Sequence, residues 1–294
     1  MKKQSYESNA DVQRWLRRQA GEHDSAGLPF SPTFLAGRRD SDWILSSLAV
    51  FYQQQLIVDV ISQASSGKEA TVYCCVAHPD TGADLLAAKV YRPRMFRSLR
   101  NDAIYRESRA QLDERGRAGN DRRRRRAATK SSERGRELQV TSWITHEYQV
   151  QRELHEAGCA VPRAWSQIGN AILMDWVGDE DGPAPRLSDV ELDAHEARPL
   201  FDTLIDNIRL FLGRHRIHGD LSPYNVLYDA GDVTVIDFAQ AVDPRHNPEV
   251  YALLERDVDR VCRFFAGYGV AADAQAIAAE MWARYMLGEL TTKE

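Results

Sequence analysis

At 294 residues, with 43% hydrophobic and 28% charged side chains, the chain is long enough for a substantial core and has the balance of an ordinary globular protein. No stretch approaches the length of a membrane span, and Lys2 and Lys3 precede no apolar run of the signal-peptide kind, so a cytoplasmic protein is expected. The net charge of −5 hides a division: residues 106–136 carry twelve Lys/Arg against five Asp/Glu, an excess of +7, which leaves −12 elsewhere and excludes a body-wide nucleic-acid surface.

Residues 1–40 read as an N-terminal extension, partly disordered, with a short helix around Trp15 before Gly27, Pro29 and Pro32 break the pattern. Asp42 is placed to cap a helix through Trp43, Leu45, Leu48 and Phe51. Leu56 to Ile61 and Thr71 to Val76 read as strands, joined by a turn that contains Ser65, Ser66, Gly67, Lys68 and Glu69. This turn links two strands, unlike a Walker loop feeding a helix. Small residues and backbone N–H groups at such a tip suit covering phosphates, and they suit a plain surface turn about as well. Cys74, Cys75, Cys159 and Cys262 have no metal-ligand spacing and read as reduced core thiols.

A third strand, Leu85 to Tyr91, follows a turn at His78 to Ala83. It carries Lys89 among small and apolar neighbours, where an ammonium costs desolvation unless it is paired. Either Lys89 reaches solvent or it meets a carboxylate and a ligand phosphate. Trp143, Glu147, Val150, Leu154 and Ala157 recur on one face of a helix that stops near Gly158 and Pro162. Glu147 is the one charge on that stripe and the natural partner of Lys89, in a pair that would orient α/β-phosphates. Glu153 and Glu156 lie off the stripe and are expected to be solvated. Between Lys89 and this helix lies a basic insert, residues 106–140, centred on Arg122 to Arg126. It has little to bury and reads as mobile when unbound, suited to phosphate-rich RNA or an acidic partner, or simply as a solvated charge run. Tyr105 is its one nearby aromatic for base stacking.

Ala171 to Met174 is a short apolar strand that leads to Asp175, Trp176 and Val177, whose backbone groups are expected to meet an adenine. A Gly/Pro/Asp-rich linker, Asp179 to Pro185, then separates an N-lobe, residues 41–178, from a C-lobe, residues 179–294. Ser188 is placed to cap one helix, and Phe201, Leu204, Ile205, Ile208 and Phe211 mark the apolar face of the next. That helix leads into H-G-D-L-S-P-Y-N, His218 to Asn225, in which His218 reads as a structural hydrogen-bonding residue. The apolar runs Val226 to Tyr228 and Val233 to Ile236 flank a hairpin turn, Asp-Ala-Gly-Asp. The hairpin returns Asp237 to Asp220 and Asn225, gathering three oxygen-bearing side chains suited to Mg²⁺. An Asp-x-x-x-x-Asn spacing followed by a strand-borne Asp is the phosphoryl-transfer signature of kinase-like folds. Two further helices are expected, around Leu253 to Phe265 and Ile277 to Leu287.

With S-S-G-K-E-A, A-K-V-Y-R, H-G-D-L-S-P-Y-N-V-L and V-I-D-F-A-Q in this order, Leu56 to Phe265 closely resembles the RIO family of atypical protein serine kinases and ATPases. The resemblance implies an α+β, bilobal kinase-like fold, ATP with Mg²⁺, and serine phosphorylation or ATP hydrolysis. It makes Asp220 the acid/base residue, and Asn225 and Asp237 the metal ligands. It makes Lys89 a contact to ATP phosphates, Glu147 its anchor and Ser66 to Glu69 the phosphate loop, and it implies an aspartyl phosphate at Asp237. Ile-Asp-Phe-Ala stands where many kinases have Asp-Phe-Gly, no Ala-Pro-Glu follows, and 57 residues remain after Asp237. The expected fold is therefore trimmed of the activation segment and peptide-binding subdomain. The family's known roles imply work in ribosomal small-subunit maturation on an unidentified protein substrate, while the charge of Arg122 to Arg126, in an insert longer than the family's flexible loop, would suit RNA or ribosomal-particle contact. Two rivals are a small-molecule phosphotransferase of the aminoglycoside or choline kinase type, and an ATP-gated RNA-binding assembly factor.

Overall fold

The structure, a computed structural model, describes residues 30–35, 41–67, 69–91, 133–246 and 250–290. The basic insert with Arg122 to Arg126, the helix expected around Trp15, and Lys68 lie outside the described residues. The chain divides into two compact units. The first takes the described residues up to Tyr91, 133–148 and Ala164–Trp176; the second takes Gln149–Arg163 and the residues from Val177 onward.

The first unit is built on an antiparallel five-stranded sheet in the order β1-β2-β3-β5-β4. Its strands are β1 (Ile57–Ser66), β2 (Ala70–Ala77), β3 (Leu85–Tyr91), β4 (Ala164–Ile168) and β5 (Ala171–Asp175). Alternation along β3 sends Leu86, Ala88 and Val90 into a core with Leu48 and Phe51 of helix α1 (Ser41–Gln53). Asp42 lies inside the first turn of α1 rather than ahead of it as a cap. Thr33 donates to Asp59 through its N–H at 2.8 Å and its hydroxyl at 2.6 Å, and Phe30 stacks on Tyr52, which ties this part of the expected extension to the unit. Helix α2 (Glu133–Glu156) gives its residues up to Tyr148 to this unit and those from Gln149 to the other. The four cysteines are buried free thiols.

The second unit packs α3 (Ala194–Gly213), α4 (Val250–Ala266) and α5 (Ala274–Met286) around one apolar cluster with the hairpin β6 (Val226–Asp229) and β7 (Asp232–Val235). Asp193, not Ser188, caps a helix here: its carboxylate accepts from His195 and Glu196 N–H while Glu196 reaches back to the Asp193 N–H. Ser188 instead sits within a 3₁₀ turn, Leu187–Asp189. The hairpin loop is Ala230-Gly231, with φ of 48° and 94°, the two positive values that a tight two-residue turn of matching twist requires. Residues 179–182 are closed by a backbone turn. Asp179 N–H donates to Gly182 O at 3.0 Å, and a Cβ on Gly178 would lie 2.4 Å from that same oxygen, so only glycine fits. Helix α2 ends in a left-handed Gly158, with Cys159 N–H closing onto Leu154 O. No helix among the described residues is long and apolar enough to cross a membrane.

Candidate active site

Lys89 stands mid-sheet, opposite Val72 of β2 and Ile172 of β5. Its Nζ donates to Oε1 of Glu147 at 2.6 Å, with the two side chains 13% and 1% exposed. The ion pair expected from helix periodicity is thus made. Lys89 and Tyr91, two apart on β3, share the sheet face that meets α2, and the Tyr91 hydroxyl donates to Oε2 of Glu147. The ammonium also lies 5.4 Å from the Tyr91 ring centroid, and Trp143 packs edge-on against that ring. A buried carboxylate holding a donor on each oxygen has little freedom to turn.

Ser65 and Ser66, expected in a turn, belong to β1 and pair with Val72 and Thr71. The hairpin tip is shorter than the sequence suggests, and Gly67 N–H donates to Ala70 O at 2.9 Å across it. Glu69 follows as a bend before β2. At the other end of the sheet Asp175 closes β5 opposite Leu86, and its carboxylate accepts from the Trp165 indole at 2.7 Å. The Val177 carbonyl accepts from Ala184 N–H at 2.9 Å, so this one of the backbone groups expected to be free for a base is already engaged.

In the second unit, His218 is buried, with Nε2 3.1 Å from Ile236 O and Nδ1 accepting the Asp220 N–H at 3.3 Å. Gly219 follows in the left-handed region, at φ of 79°. Helix α4 holds this bend from behind. Asp257 accepts Gly219 N–H at 2.7 Å on one oxygen and Leu221 N–H at 3.1 Å on the other, while Arg256 donates to Gly219 O. Burial pushes the Asp257 carboxyl up to about 7, against the pull of Gly219 and Leu221 N–H and of the Arg256 and Arg260 charges. Asn225 Nδ2 donates to Asp220 O at 2.9 Å, and Ile236 N–H donates to Asn225 O at 2.9 Å. That last bond sets Asp237, the next residue, beside Asn225. Asp237 is held at φ of 70°, sparsely populated for a residue with a Cβ, and its carboxylate is exposed and not spent on capping the turn it starts. Asp220 is also exposed, with Arg260 Nη1 at 2.8 Å from Oδ1.

The RIO domain family model matches residues 89–277 of this chain. The RIO-type serine/threonine-protein kinase Rio1 of Thermoplasma acidophilum is 36% identical over 138 residues, which are 47% of this chain and 71% of that protein. The chain belongs to the RIO family. The serine/threonine-protein kinase RIO1 of Caenorhabditis elegans is 29% identical over 220 residues, 74% of this chain but 39% of the nematode protein. Among solved structures, the Rio2 kinase–ADP/Mg²⁺–phosphoaspartate complex from Chaetomium thermophilum superposes with a TM-score of 0.56 at 19% identity, covering 92% of this chain and 86% of that one. The fold is accordingly the trimmed kinase-like α+β fold.

The donors at Asn225 and Asp237 are of the type that suits Mg²⁺. Asn225 turns its amide nitrogen to the Asp220 carbonyl, which leaves Oδ1 as the outward acceptor, and Asp237 adds an exposed carboxylate next to it. Hard oxygens in small number are what Mg²⁺ accepts while keeping phosphate oxygens in its shell. Three residues that contact the expected site residues escape a reading of the sequence: Tyr91 in the first unit, and Asp257 and Arg260 in the second. Tyr91 was findable by strand alternation from Lys89. Asp257 lies on the apolar stripe of Leu253, Leu254, Val258 and Val261, the same signal that picks out Glu147. Glu153, expected to be solvated, is exposed yet ion-paired to Arg216 at 2.6 Å.

Proposed function

We propose that this RIO-family chain is an ATP- and Mg²⁺-dependent serine/threonine kinase and ATPase. Lys89, held by Glu147, receives the ATP phosphates, with Ser66 and Gly67 of the β1–β2 tip over them. Asn225 and Asp237 would hold Mg²⁺, and the bound metal would supply positive charge to offset that of the phosphate oxygens. Asp220 orients the acceptor hydroxyl, a serine or water, and takes its proton. Asp237 also serves as a transient phosphoryl acceptor, as the phosphoaspartate of the Rio2 kinase complex suggests.

The observation that carries this reading is the buried Lys89–Glu147 pair. A buried ion pair is a weak stabiliser compared with apolar residues of the same volume. One fixed on a central strand is better explained by a charge it serves. A small-molecule phosphotransferase shares only the catalytic-loop pattern and finds no relative among those named above. The basic run Arg122 to Arg126 is assigned to RNA or a ribosomal particle, and the reduced, buried cysteines fit a cytoplasmic setting.

The test is γ-labelled ATP with the full chain. Asp220→Ala should abolish transfer to serine or water while ATP still binds. Asp237→Ala should abolish Mg²⁺-dependent binding, turnover and any hydroxylamine-labile label on the protein. Wild-type turnover in Asp220→Ala removes that residue from the mechanism. A label that survives Asp237→Ala places the phosphoryl group elsewhere.

A further inference from the structure

Between Asp220 and Asn225 the catalytic loop reads Leu-Ser-Pro-Tyr and has no cation of its own. One arrives from α4. Arg260 Nη1 donates to Asp220 Oδ1 at 2.8 Å and lies 3.4 Å from Leu221 O. The Arg260 and Asp220 side chains are 36% and 51% exposed, and an ion pair so open to water adds little to stability. Folding therefore does not account for it. Its mounting is rigid nonetheless: one turn earlier on the same helix, Arg256 and Asp257 are bonded to the backbone of Gly219 and Leu221, on either side of Asp220. The helix is keyed to the loop, and the guanidinium reaches one carboxylate oxygen from that fixed base. Oδ2 has no hydrogen-bond partner among the described residues.

We propose that Arg260 is a positioning residue for phosphoryl transfer: it holds Oδ1 of Asp220 and so fixes Oδ2 as the oxygen that takes the acceptor's proton. The inference rests on the reading of Asp220 as the acid/base residue. In the step it serves, the acceptor oxygen forms its bond to phosphorus as its proton passes to Oδ2. The bond from phosphorus to the leaving oxygen breaks, and its electron pair stays with that oxygen. A planar guanidinium is suited to the task because it fixes direction as well as charge. An Asp220 carboxylate without it rotates, and the oxygen facing the acceptor is no longer set.

The experiment measures ATP turnover by the full chain for Arg260→Ala, Arg260→Lys, Asp220→Asn and the Arg260→Ala/Asp220→Asn double variant. Arg260→Ala should lower kcat roughly 10- to 100-fold, the scale expected of a misplaced reacting group, with KM for ATP nearly unchanged. Arg260→Lys should recover part of the loss, and millimolar guanidinium should restore turnover to Arg260→Ala but not raise it in wild type. In the residual turnover that Asp220→Asn keeps, removing Arg260 should cost nothing further, because the two act as a unit. Unchanged kcat in Arg260→Ala beside a nearly inactive Asp220→Asn overturns the proposal and leaves the role of Asp220 standing. A rise in KM for ATP alone, or an undiminished loss in the Asp220→Asn background, also overturns it, since Arg260 then acts on the nucleotide or acceptor directly. Wild-type turnover in Asp220→Asn sinks the underlying reading instead. Should Arg260→Ala fail to fold, Arg260→Lys decides by the same kcat-against-KM criterion.

Discussion

Glu147 divides its carboxylate between Lys89 on one oxygen and Tyr91 on the other, and it is 1% exposed. Removing either charge leaves the other buried and unpaired, which costs about 3–5 kcal/mol. Lys89→Met and Glu147→Gln should each reduce ATP turnover steeply, and the double variant should be little worse than the worse single. Tyr91→Phe removes only a donor to one oxygen and should do less damage than either. Glu156→Gln is the control: Glu156 meets Arg152 at 3.6 Å on the solvent side, an exposed helical pair whose loss is close to neutral. A double-mutant cycle on turnover checks this. Simple addition of the Lys89 and Glu147 losses would mean that the pair, though made, is not what the reaction uses.

Helix α4 illustrates what an element does that no single residue can. It presents Arg256, Asp257 and Arg260 to one loop, and Asp257 does so from full burial. The folded protein keeps a proton on Asp257 up to about pH 7, whereas the ordinary carboxyl value is 3.8. From about pH 4 to about 7 the folded state thus holds a proton that the unfolded chain has released. The contribution of Asp257 to stability is full at the acid end, falls as pH rises through that window and is flat above it. Denaturant unfolding of wild type and Asp257→Asn at pH 5, 6, 7 and 8 should show the wild type's relative stability declining to pH 7 and then holding level. A difference that grows with pH would mean that the carboxylate is ionised in the fold throughout. The sequence offered the same clue for Asp257 as for Glu147, a lone carboxylate on an apolar stripe. Periodicity tells which carboxylate is buried, not what it meets. The partner of Glu147 is a lysine and can be read from the letters; the partners of Asp257 are backbone N–H groups, which every residue but proline carries. Ser65 and Ser66 mislead in the opposite way, since small turn-forming residues are drawn into the β1–β2 ladder once Thr71 and Val72 pair with them. Strand β4 leaves no mark in the sequence because Trp165 to Ile168 are all half-buried at the sheet edge and do not alternate.

Over the whole molecule, the motifs in the letters are the short-range ones, and the pairings that complete them span long stretches of chain: Lys89 to Glu147 across 58 residues, and Asp220 to Arg260 across 40. Lys89 and Glu147 belong to the first compact unit, and Asn225 and Asp237 to the second. A ligand that binds only the folded chain stabilises it by mass action, about 2.7 kcal/mol at a hundredfold excess over Kd. For a chain of this size that is a rise of roughly 5 to 10 °C in unfolding temperature. Saturating ATP with Mg²⁺ should produce such a rise, and ATP with a chelator should produce much less. Lys89→Met and Asp237→Ala should each lose most of it, although the first alters a phosphate contact in one unit and the second a metal ligand in the other. Thermal unfolding of the three proteins under the two conditions is the measurement. A rise indifferent to Mg²⁺ would remove Asn225 and Asp237 as metal ligands. A full rise in Lys89→Met would leave the buried pair with a structural role alone, and the phosphates would then have to be held by the β1–β2 tip.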